Sequence, residues 1–527
     1  MTNRLTHTTR GRRRFLSSVS ATLGLAAFGG RITDALSASG RSLVPTTHST
    51  APNYWCTWAA QNYLYGQGQQ ELDATQLEEA NGAEFARSLL NEQVILGPRG
   101  WSKVLHPRVR EELYLLLDDG WEEGGTATFQ LDRGKFPSFS GPPEQRLRGL
   151  NDSLRADGWR ALGLWCRNPH GGDGDRRCVS WSKFAGIPYL KVDRGDQSGS
   201  LARARARQGA SITLEHIHRD GCLNGDWQRE GRFGVQPWGS IRQKILSATD
   251  IYRTYDATAV LGVPTTLDRA AELLKGAAGH PEAQALLNVE DEVYIAAVLG
   301  CTMGVMRHPF RGLRPGEDTD VFLPPTRQLK KRMDEVVRAI RWQRIAPPYP
   351  AGEGEVMLDS RALTDEWIFR RGETFATEIV GSRVRQGAPA RVSRNMNLPL
   401  VSCEGEPPYV ACTRFPSGAA AIGAFERVST DKQAFQPKAD IRWMVADAAG
   451  PFGIFGQFKS LTLVFSRPRQ SGRILAQDLA GDTSIDITDE VRSNGSEIVV
   501  PGALIDRIGC SSAMSGDLSM PGLVLAV

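Results

Sequence analysis

The feature that most constrains the fold is a repeated alternation of short apolar runs with longer amphipathic stretches across residues 49–344. Short apolar runs are typical of strands buried on both faces, and amphipathic stretches are typical of helices that cover such strands. The predicted strands are 53–56, 112–117, 161–165, 187–192, 211–215, 251–255, 259–261 and 301–306. The predicted helices include 145–157, 201–207, 267–278 and 289–299. This order predicts an α/β fold, a parallel (β/α)8 TIM barrel over residues 49–346.

An open, doubly wound sheet has the same alternation and is the structural alternative. Such sheets usually carry a glycine-rich dinucleotide fingerprint after a strand, because that motif binds a pyrophosphate. No such motif follows any of the predicted strands. We therefore favour the barrel and expect no cofactor.

The sequence changes character after the barrel. A turn-rich linker at 347–354 is followed by a helix-like stretch at 365–379. Short alternating runs then appear at 419–425, 461–465 and 497–500, separated by Gly, Pro, Asp and Asn. Alternation of this kind predicts a C-terminal antiparallel β-sandwich domain over residues 355–527.

The first 40 residues are predicted to be a Tat-type export signal. Arg12, Arg13 and Arg14 precede an apolar run at 19–28, and small residues at 35–38 offer a cleavage point. A basic disordered tail is the alternative. Export predicts a periplasmic or extracellular protein. No other stretch reaches the ~20 apolar residues of a membrane-spanning helix, so we expect no transmembrane segment in the mature chain.

Charge and cysteine content limit the partners. The chain has 63 basic and 59 acidic residues, a formal net charge of +4, which gives no indication of nucleic-acid binding. Its eight cysteines include no CxxC pair. Cys166 with Cys178, and Cys403 with Cys412, are close enough in sequence for disulfides in an oxidising compartment.

Acidic residues end or follow four of the predicted strands: Asp118 and Asp119, Asp193, Glu215 and Asp256. The carboxyl ends of barrel strands meet at one face, where catalytic groups collect, although each acid alone could equally be a loop residue or a helix cap. Lys191 and Asp193 are two positions apart, so one strand projects both to the same side. Lys191 would lower the pKa of Asp193 and keep it anionic, as a nucleophile requires.

Paired carboxyl groups are the machinery of glycoside hydrolysis. One carboxylate attacks the anomeric carbon or directs water to it, and the other donates a proton to the leaving oxygen. A separation of about 5–5.5 Å gives retention of configuration, and about 6.5–9.5 Å gives inversion.

The order of these motifs resembles the α-galactosidase-like enzymes of glycoside hydrolase clan D, family 27 most of all. The similarity covers about residues 52–306 and extends more weakly through the C-terminal domain. The segments that carry it are PNYWCTW at 52–58, LDDGW at 117–121, GWRALGLW at 158–165 and YLKVD at 189–193.

The resemblance implies a retaining exo-glycosidase that acts on an oligosaccharide or glycoside through a glycosyl-aspartate. Asp193 would be the nucleophile and Asp256 the general acid/base. Trp55 or Trp58 would stack on the sugar. The hydroxyl-binding residues implied are Asp118, Asp119, Lys191, Glu215 and Arg253.

The chain departs from the family at two places. Asp256 lies three residues after Arg253, where the family has four, and Asp250 is the alternative acid/base. The family's cysteine just past the nucleophile is replaced by Arg194-Gly195-Asp196. The implied substrate is an α-galactoside, and relatives also accept other glycosides.

Two other functions stay open from the sequence. His216 and His218 lie on the same side of an extended strand and could bind a metal with Asp193 or Asp256, as in a metal-dependent barrel hydrolase. The chain could also be a carbohydrate-binding barrel protein without catalysis.

Overall fold

The computed structural model describes a large part of the chain. It comprises residues 40–61, 86–125, 127–167, 172–193, 199–217, 246–247, 249–254, 262–308, 331–368, 381, 383–446, 448, 450–468 and 472–527. These residues all belong to one compact unit, Ser39–Val527. Nearly all of the predicted export signal lies outside the described residues and stays a prediction.

Eight parallel strands close into a barrel within the described residues, with β8 hydrogen-bonded back to β1. They are β1 (Asn53–Cys56), β2 (Leu113–Leu117), β3 (Ala161–Arg167), β4 (Tyr189–Asp193), β5 (Thr213–Ile217), β6 (Ile251–Arg253), β7 (Leu286–Glu290) and β8 (Thr302–Val305). The predicted eight-stranded parallel barrel is confirmed.

Helices lie between the barrel strands and beyond them. Those of the described part are α1 (Glu92–Leu96), α2 (Trp101–Val104), α3 (Pro143–Ala156), α4 (Asp173–Ala185), α5 (Ser200–Arg207), α6 (Gly262–Ala277), α7 (Val293–Leu299), α8 (Asp334–Gln343) and α9 (Gly502–Gly509). Leu147, Leu150 and Leu154 of α3 are buried at helical spacing, which explains why this stretch covers the barrel as a helix.

Strand residues of the barrel divide by alternation into an inner and an outer set. Those that pack into the lumen include Tyr54, Cys56, Tyr114, Leu116, Trp165, Tyr189 and Ile251. Those that pack against the helical layer include Trp55, Leu115, Leu117, Leu190, Val192, Leu214 and Tyr252. Because successive strand side chains point to opposite faces, this division fixes which residues can reach a ligand in the lumen.

The seventh strand corrects one prediction. The predicted strand 259–261 lies outside the described residues, and the barrel takes 286–290 as β7. The predicted helix 289–299 was therefore wrong at its start, since α7 begins at Val293. Asn288 and Glu290 interrupt the apolar run of β7 because they face a polar lumen, and this obscured the strand.

The C-terminal part is mostly antiparallel and β-rich. One sheet has the order β22-β21-β25-β19-β15-β14-β12-β9, and a second has the order β13-β18-β20-β24-β23. Two ribbons, β10-β11 and β16-β17, accompany them. The strands are β9 (Val356–Leu358), β10 (Ala362–Ile368), β11 (Arg383–Pro389), β12 (Arg391–Arg394), β13 (Leu400–Ser402), β14 (Tyr409–Arg414), β15 (Ala420–Phe425), β16 (Arg427–Ser429), β17 (Gln433–Phe435), β18 (Asp440–Ala446), β19 (Phe452–Gly456), β20 (Ser460–Phe465), β21 (Leu475–Asp478), β22 (Ile485–Asp486), β23 (Arg492–Ser493), β24 (Glu497–Pro501) and β25 (Gly522–Ala526).

The two larger sheets share an apolar core, as a sandwich does. Ile422 and Ile454 of one sheet belong to the same buried cluster as Trp443 and Leu463 of the other. The predicted sandwich is mostly antiparallel, and it also contains the parallel pairs β12–β14, β15–β19 and β18–β20.

The predicted helix-like stretch at 365–379 was wrong where the structure describes it. Residues 365–368 belong to β10, which pairs with β11 over seven residues. Leu363, Asp365 and Trp367 are the buried positions of its alternation. Asp365 is buried because it accepts hydrogen bonds from Arg427, and an acid at an inward position hid the strand pattern.

The barrel and the sandwich are packed on each other. Phe455 of β19 contacts Tyr294 of α7 and Trp342 of α8. Arg338 of α8 donates to both carboxylate oxygens of Asp478 in β21, at 2.8 and 3.1 Å, and both side chains are buried. Among the described residues, no helix has the length and apolar character needed to span a membrane.

Candidate active site

Polar side chains fill the carboxyl end of the barrel lumen. Asp193, Arg253 and Glu290 are the last residues of β4, β6 and β7, and Asp118 directly follows β2. All four therefore lie at the same face, because the strands are parallel. Of the acids predicted at this face, Asp118 and Asp193 lie there, whereas Glu215 is the third residue of β5 and lies deeper.

Lys191 is the central cation of this set. Its Nζ lies 2.8 Å from Asp118 Oδ2 and 3.6 Å from Glu290 Oε1, and its side chain is 1% exposed. Burial and the neighbouring Arg253 act to lower the pKa of Lys191, but Asp118, Cys56 and Glu290 raise it above its usual value. Lys191 is therefore charged at neutral pH.

Asp118 is held as an anion by this lysine. Burial alone would raise its pKa, yet the charge and hydrogen bond of Lys191 outweigh burial and keep the pKa below its usual value. The Cys56 thiol donates to the same carboxylate oxygen at 3.1 Å. Burial and the negative charge of Asp118 raise the pKa of Cys56, so this thiol is un-ionised at neutral pH.

One oxygen of Glu290 accepts two hydrogen bonds and faces a second cation. Its Oε1 lies 2.9 Å from the Arg253 guanidinium, 3.0 Å from the Tyr54 hydroxyl and 3.6 Å from Lys191 Nζ. Glu290 is completely buried. It therefore links the two cations that the sequence singled out as substrate-binding residues.

Glu215 lies deeper and is also completely buried. Its Oε2 accepts from the Tyr189 hydroxyl at 2.6 Å and from the Asn288 amide at 2.8 Å, and its Oε1 lies 3.2 Å from the Tyr54 hydroxyl. Burial raises the pKa of Glu215 against the opposing charges of Arg253 and Lys191. Because these partners enclose the carboxyl group, the predicted direct contact of Glu215 with a sugar hydroxyl is not what this geometry favours.

Asp193 stands at the rim of the barrel. Its side chain is only partly buried, and Trp165 Nε1 donates to Oδ2 at 3.2 Å. Trp165 belongs to the lumen set and lies on the neighbouring strand β3, in register with Lys191. The carboxylate of Asp193 is therefore oriented over the lumen, on the same side of β4 as Lys191.

Asp119 is turned to a different partner from Asp118. Arg87 contacts its Oδ2 through Nε and a terminal nitrogen, both at 2.7 Å. Gln61 donates to the backbone carbonyl of Asp119 at 2.9 Å. Asp119 is 7% exposed, so it borders the site beside Asp118.

The predicted stacking role of Trp55 is corrected by the alternation of β1. Trp55 is completely buried in the outer set, where it contacts Trp101 and Trp159 and donates to the Arg307 carbonyl. Tyr54 and Cys56 occupy the inner positions instead. Trp58 is partly buried and packs against the lumen cluster, so it is the tryptophan of this segment that borders the lumen.

The predicted acid/base Asp256 lies outside the described residues, and its role stays a prediction. Asp250, the alternative, precedes β6 and so lies at the amino end of the barrel. It pairs with Arg205 and accepts from the Leu214 amide at 2.8 Å. Asp193 lies at the carboxyl end of the barrel, so Asp250 at the amino end is not placed to act on the same sugar.

The metal-site alternative meets a similar difficulty. Glu215 points into the lumen, so the next residue, His216, points to the other face of β5. His216 is buried there with Nδ1 2.7 Å from the Thr249 hydroxyl. His218 lies outside the described residues, and within the described part no group of three or more possible metal ligands occurs.

Five lumen residues were missed by the sequence analysis: Tyr54, Cys56, Tyr189, Asn288 and Glu290. Period-two spacing could have found Tyr189, because it shares the strand face of the predicted site residue Lys191. Asn288 and Glu290 share a strand that the sequence did not reveal, so no local signal indicated them.

No known family model matches this chain, and no curated protein matches it.

Proposed function

We propose that this chain is a retaining glycoside hydrolase that removes a terminal sugar, with α-galactosides as the expected substrate class. The observation that supports this proposal is the placement of Asp193. Its carboxylate lies at the barrel mouth, is oriented by the Trp165 indole and stands on the same strand face as the buried Lys191. Attack on an anomeric carbon needs a fixed, accessible carboxylate of this kind.

The reaction proceeds in two displacements. Asp193 attacks the anomeric carbon while the glycosidic bond breaks, and Asp256 donates a proton to the leaving oxygen. Asp256 then takes a proton from water, whose oxygen attacks the anomeric carbon and releases the Asp193 carboxylate. Asp256 follows the last residue of β6 by three positions, and β6 runs parallel to β4. Parallel strands end at the same face of the barrel, so β6 ends at the face where Asp193 lies, and Asp256 follows that end in the sequence.

Sugar hydroxyls are proposed to meet the polar groups around Asp193. Asp118 and Asp119 accept from hydroxyl groups, and Arg253 donates to them. Lys191 holds Asp118 ionised and so keeps it a strong acceptor. Trp58 is the aromatic residue placed to contact the apolar face of the ring.

Substitution of Asp193 tests this function most simply. We expect Asp193→Asn to lower kcat by at least about 10⁴-fold on p-nitrophenyl glycosides, because the nucleophile is lost. Asp250→Asn is the matched control, since it removes an aspartate at the amino end and is expected to leave turnover within about threefold. Anomer-resolved NMR of the wild-type product should show retained configuration.

Near-normal turnover in Asp193→Asn would contradict the assignment. An inverted product would exclude the double displacement while leaving a glycosidase. Calorimetric binding of glycosides by wild-type protein with no turnover would support the carbohydrate-binding alternative instead.

A further inference from the structure

Two buried glutamates meet at one hydroxyl group. The Tyr54 oxygen lies 3.2 Å from Glu215 Oε1 and 3.0 Å from Glu290 Oε1, and all three residues are completely buried. A phenol has a single proton to donate, and an ionised carboxylate has none. If both glutamates were ionised, one of these two contacts would join oxygens without a hydrogen between them.

The other partners decide which glutamate holds the extra proton. Glu290 Oε1 faces Arg253 and Lys191, two cations that favour an anion. Glu215 makes its remaining hydrogen bonds with neutral groups, the Tyr189 hydroxyl and the Asn288 amide, and both fall on Oε2. The oxygen of Glu215 that faces Tyr54 is thus the one available to carry a proton.

We propose that Glu215 is protonated and that Glu290 is ionised. Glu215 then donates a hydrogen bond to the Tyr54 hydroxyl, and Tyr54 donates one to Glu290. The Glu290 carboxylate in turn positions Lys191 and Arg253. The protons of the Glu215 carboxyl group and the Tyr54 hydroxyl then each have an acceptor. The buried ionised groups balance as well, with Asp118 and Glu290 against Lys191 and Arg253. Burial raises the pKa of Glu215, in agreement with this arrangement.

The groups that face Glu215 come from four strands. They are Tyr54 of β1, Tyr189 and Lys191 of β4, Arg253 of β6, and Asn288 and Glu290 of β7. Two of these are cations and one is an anion, so ionising Glu215 would leave three buried carboxylates, those of Asp118, Glu215 and Glu290, against two cations. Protonated Glu215 therefore serves as a neutral support, and Glu290 is the positioning residue for the substrate-facing side chains.

Infrared spectroscopy tests the charge states without any activity. An un-ionised carboxyl group gives a carbonyl stretch well separated from the carboxylate bands. Spectra are taken more than one unit above the pKa of about 7 that burial gives Glu122, so that this group does not contribute. Wild type should show the band, Glu215→Gln should lose it, and Glu290→Gln should keep it.

Two features of these variants make the result decisive. Glutamine reproduces the hydrogen bonds of a protonated Glu215, because its oxygen can accept from Tyr189 and Asn288 and its amide can donate to Tyr54. Glu215→Gln should therefore fold with an unchanged midpoint of urea unfolding. Tyr54→Phe removes the acceptor of the proposed proton and should shift the band to higher frequency. Absence of the band in wild type, or its loss in Glu290→Gln alone, would overturn the proposal.

The positioning role of Glu290 rests on the proposed function and has its own assay. Glu290→Gln should raise KM and lower kcat/KM by about a hundredfold, because the two cations lose their shared anion. Glu290→Asp keeps the negative charge, so its kcat/KM should be at least about tenfold higher than that of Glu290→Gln. Equal effects of Gln and Asp would contradict the positioning role. If wild type has no glycosidase activity, the proposed function fails while the infrared result still decides the charge states.

Discussion

Replacement of Lys191 by methionine is the most informative test of the buried network. Coulomb's law with an effective dielectric constant of about 20 gives about 6 kcal/mol of attraction at the 2.8 Å separation from Asp118. The same treatment gives about 5 kcal/mol at the 3.6 Å separation from Glu290. Desolvation of the groups and repulsion from Arg253 offset most of this. Removing the partner of a buried charge costs about 3–5 kcal/mol, which is the expected loss in the free energy of unfolding.

The contribution of Asp118 to the free energy of unfolding should have the opposite pH dependence in Lys191→Met. In wild type the pKa of Asp118 is below its usual value, so its contribution to stability is present above that value and is lost as pH falls through the folded pKa. Without Lys191, burial raises the pKa of Asp118 instead. The variant should therefore gain stability relative to wild type as pH falls from neutral to mildly acidic.

Urea unfolding at neutral and mildly acidic pH measures both effects. Lys438→Met is the matched control, because Lys438 pairs with Asp506 at 2.9 Å but is 47% exposed. Such a surface pair contributes about 0–1 kcal/mol. The reasoning would be refuted if Lys191→Met were as stable as the control variant, or if its stability did not rise relative to wild type as the pH falls.

Three further predictions concern single groups. Burial lowers the pKa of His106 from 6.5 to about 4, so its contribution to stability is present above pH 6.5 and is lost as pH falls through about 4. Relative to His106→Asn, wild type should lose about 3 kcal/mol of unfolding free energy over this window in urea unfolding. Parallel plots of unfolding free energy against pH for the two proteins would contradict this. Trp165→Phe removes the hydrogen-bond donor to Asp193 and should lower kcat/KM about tenfold with little change in thermal stability. The reason is that a hydrogen bond to a charged group contributes about 1.5–3 kcal/mol. An unchanged kcat/KM would exclude the orienting role of Trp165. Arg338→Met leaves Asp478 buried without its bidentate partner and should lower the free energy of unfolding in urea by about 3–5 kcal/mol. Arg507→Met, which breaks an exposed ion pair, should not reproduce this loss.

The barrel could be predicted from the sequence because several of its strands are mostly apolar. Runs such as Leu113–Leu117 are buried on both faces, and that requirement is visible locally. β7 escaped prediction because Asn288 and Glu290 serve the polar lumen rather than an apolar core. β10 escaped for a related reason, since the buried Asp365 pairs with Arg427, a residue distant in sequence.

The candidate site was predicted in part. Acids at strand ends gave Asp118 and Asp193, and the spacing of Lys191 from Asp193 gave their common face. The register of the strands could not be known from local sequence, so Trp55 was preferred over Tyr54 although the alternation of β1 turns Trp55 outward. The contacts that make Glu290 central come from β1, β4 and β6, and such long-range pairing leaves no local pattern.

Covalent trapping tests the central claim, that Asp193 is the nucleophile, most directly. The protein is incubated with an activated 2-deoxy-2-fluoro glycoside, which slows release of the glycosyl intermediate, and its proteolytic peptides are examined by mass spectrometry. We expect one added fluoroglycosyl group on the peptide that contains Asp193, and none in Asp193→Asn. An adduct on another carboxylate, or turnover of true substrates without any adduct, would contradict the account.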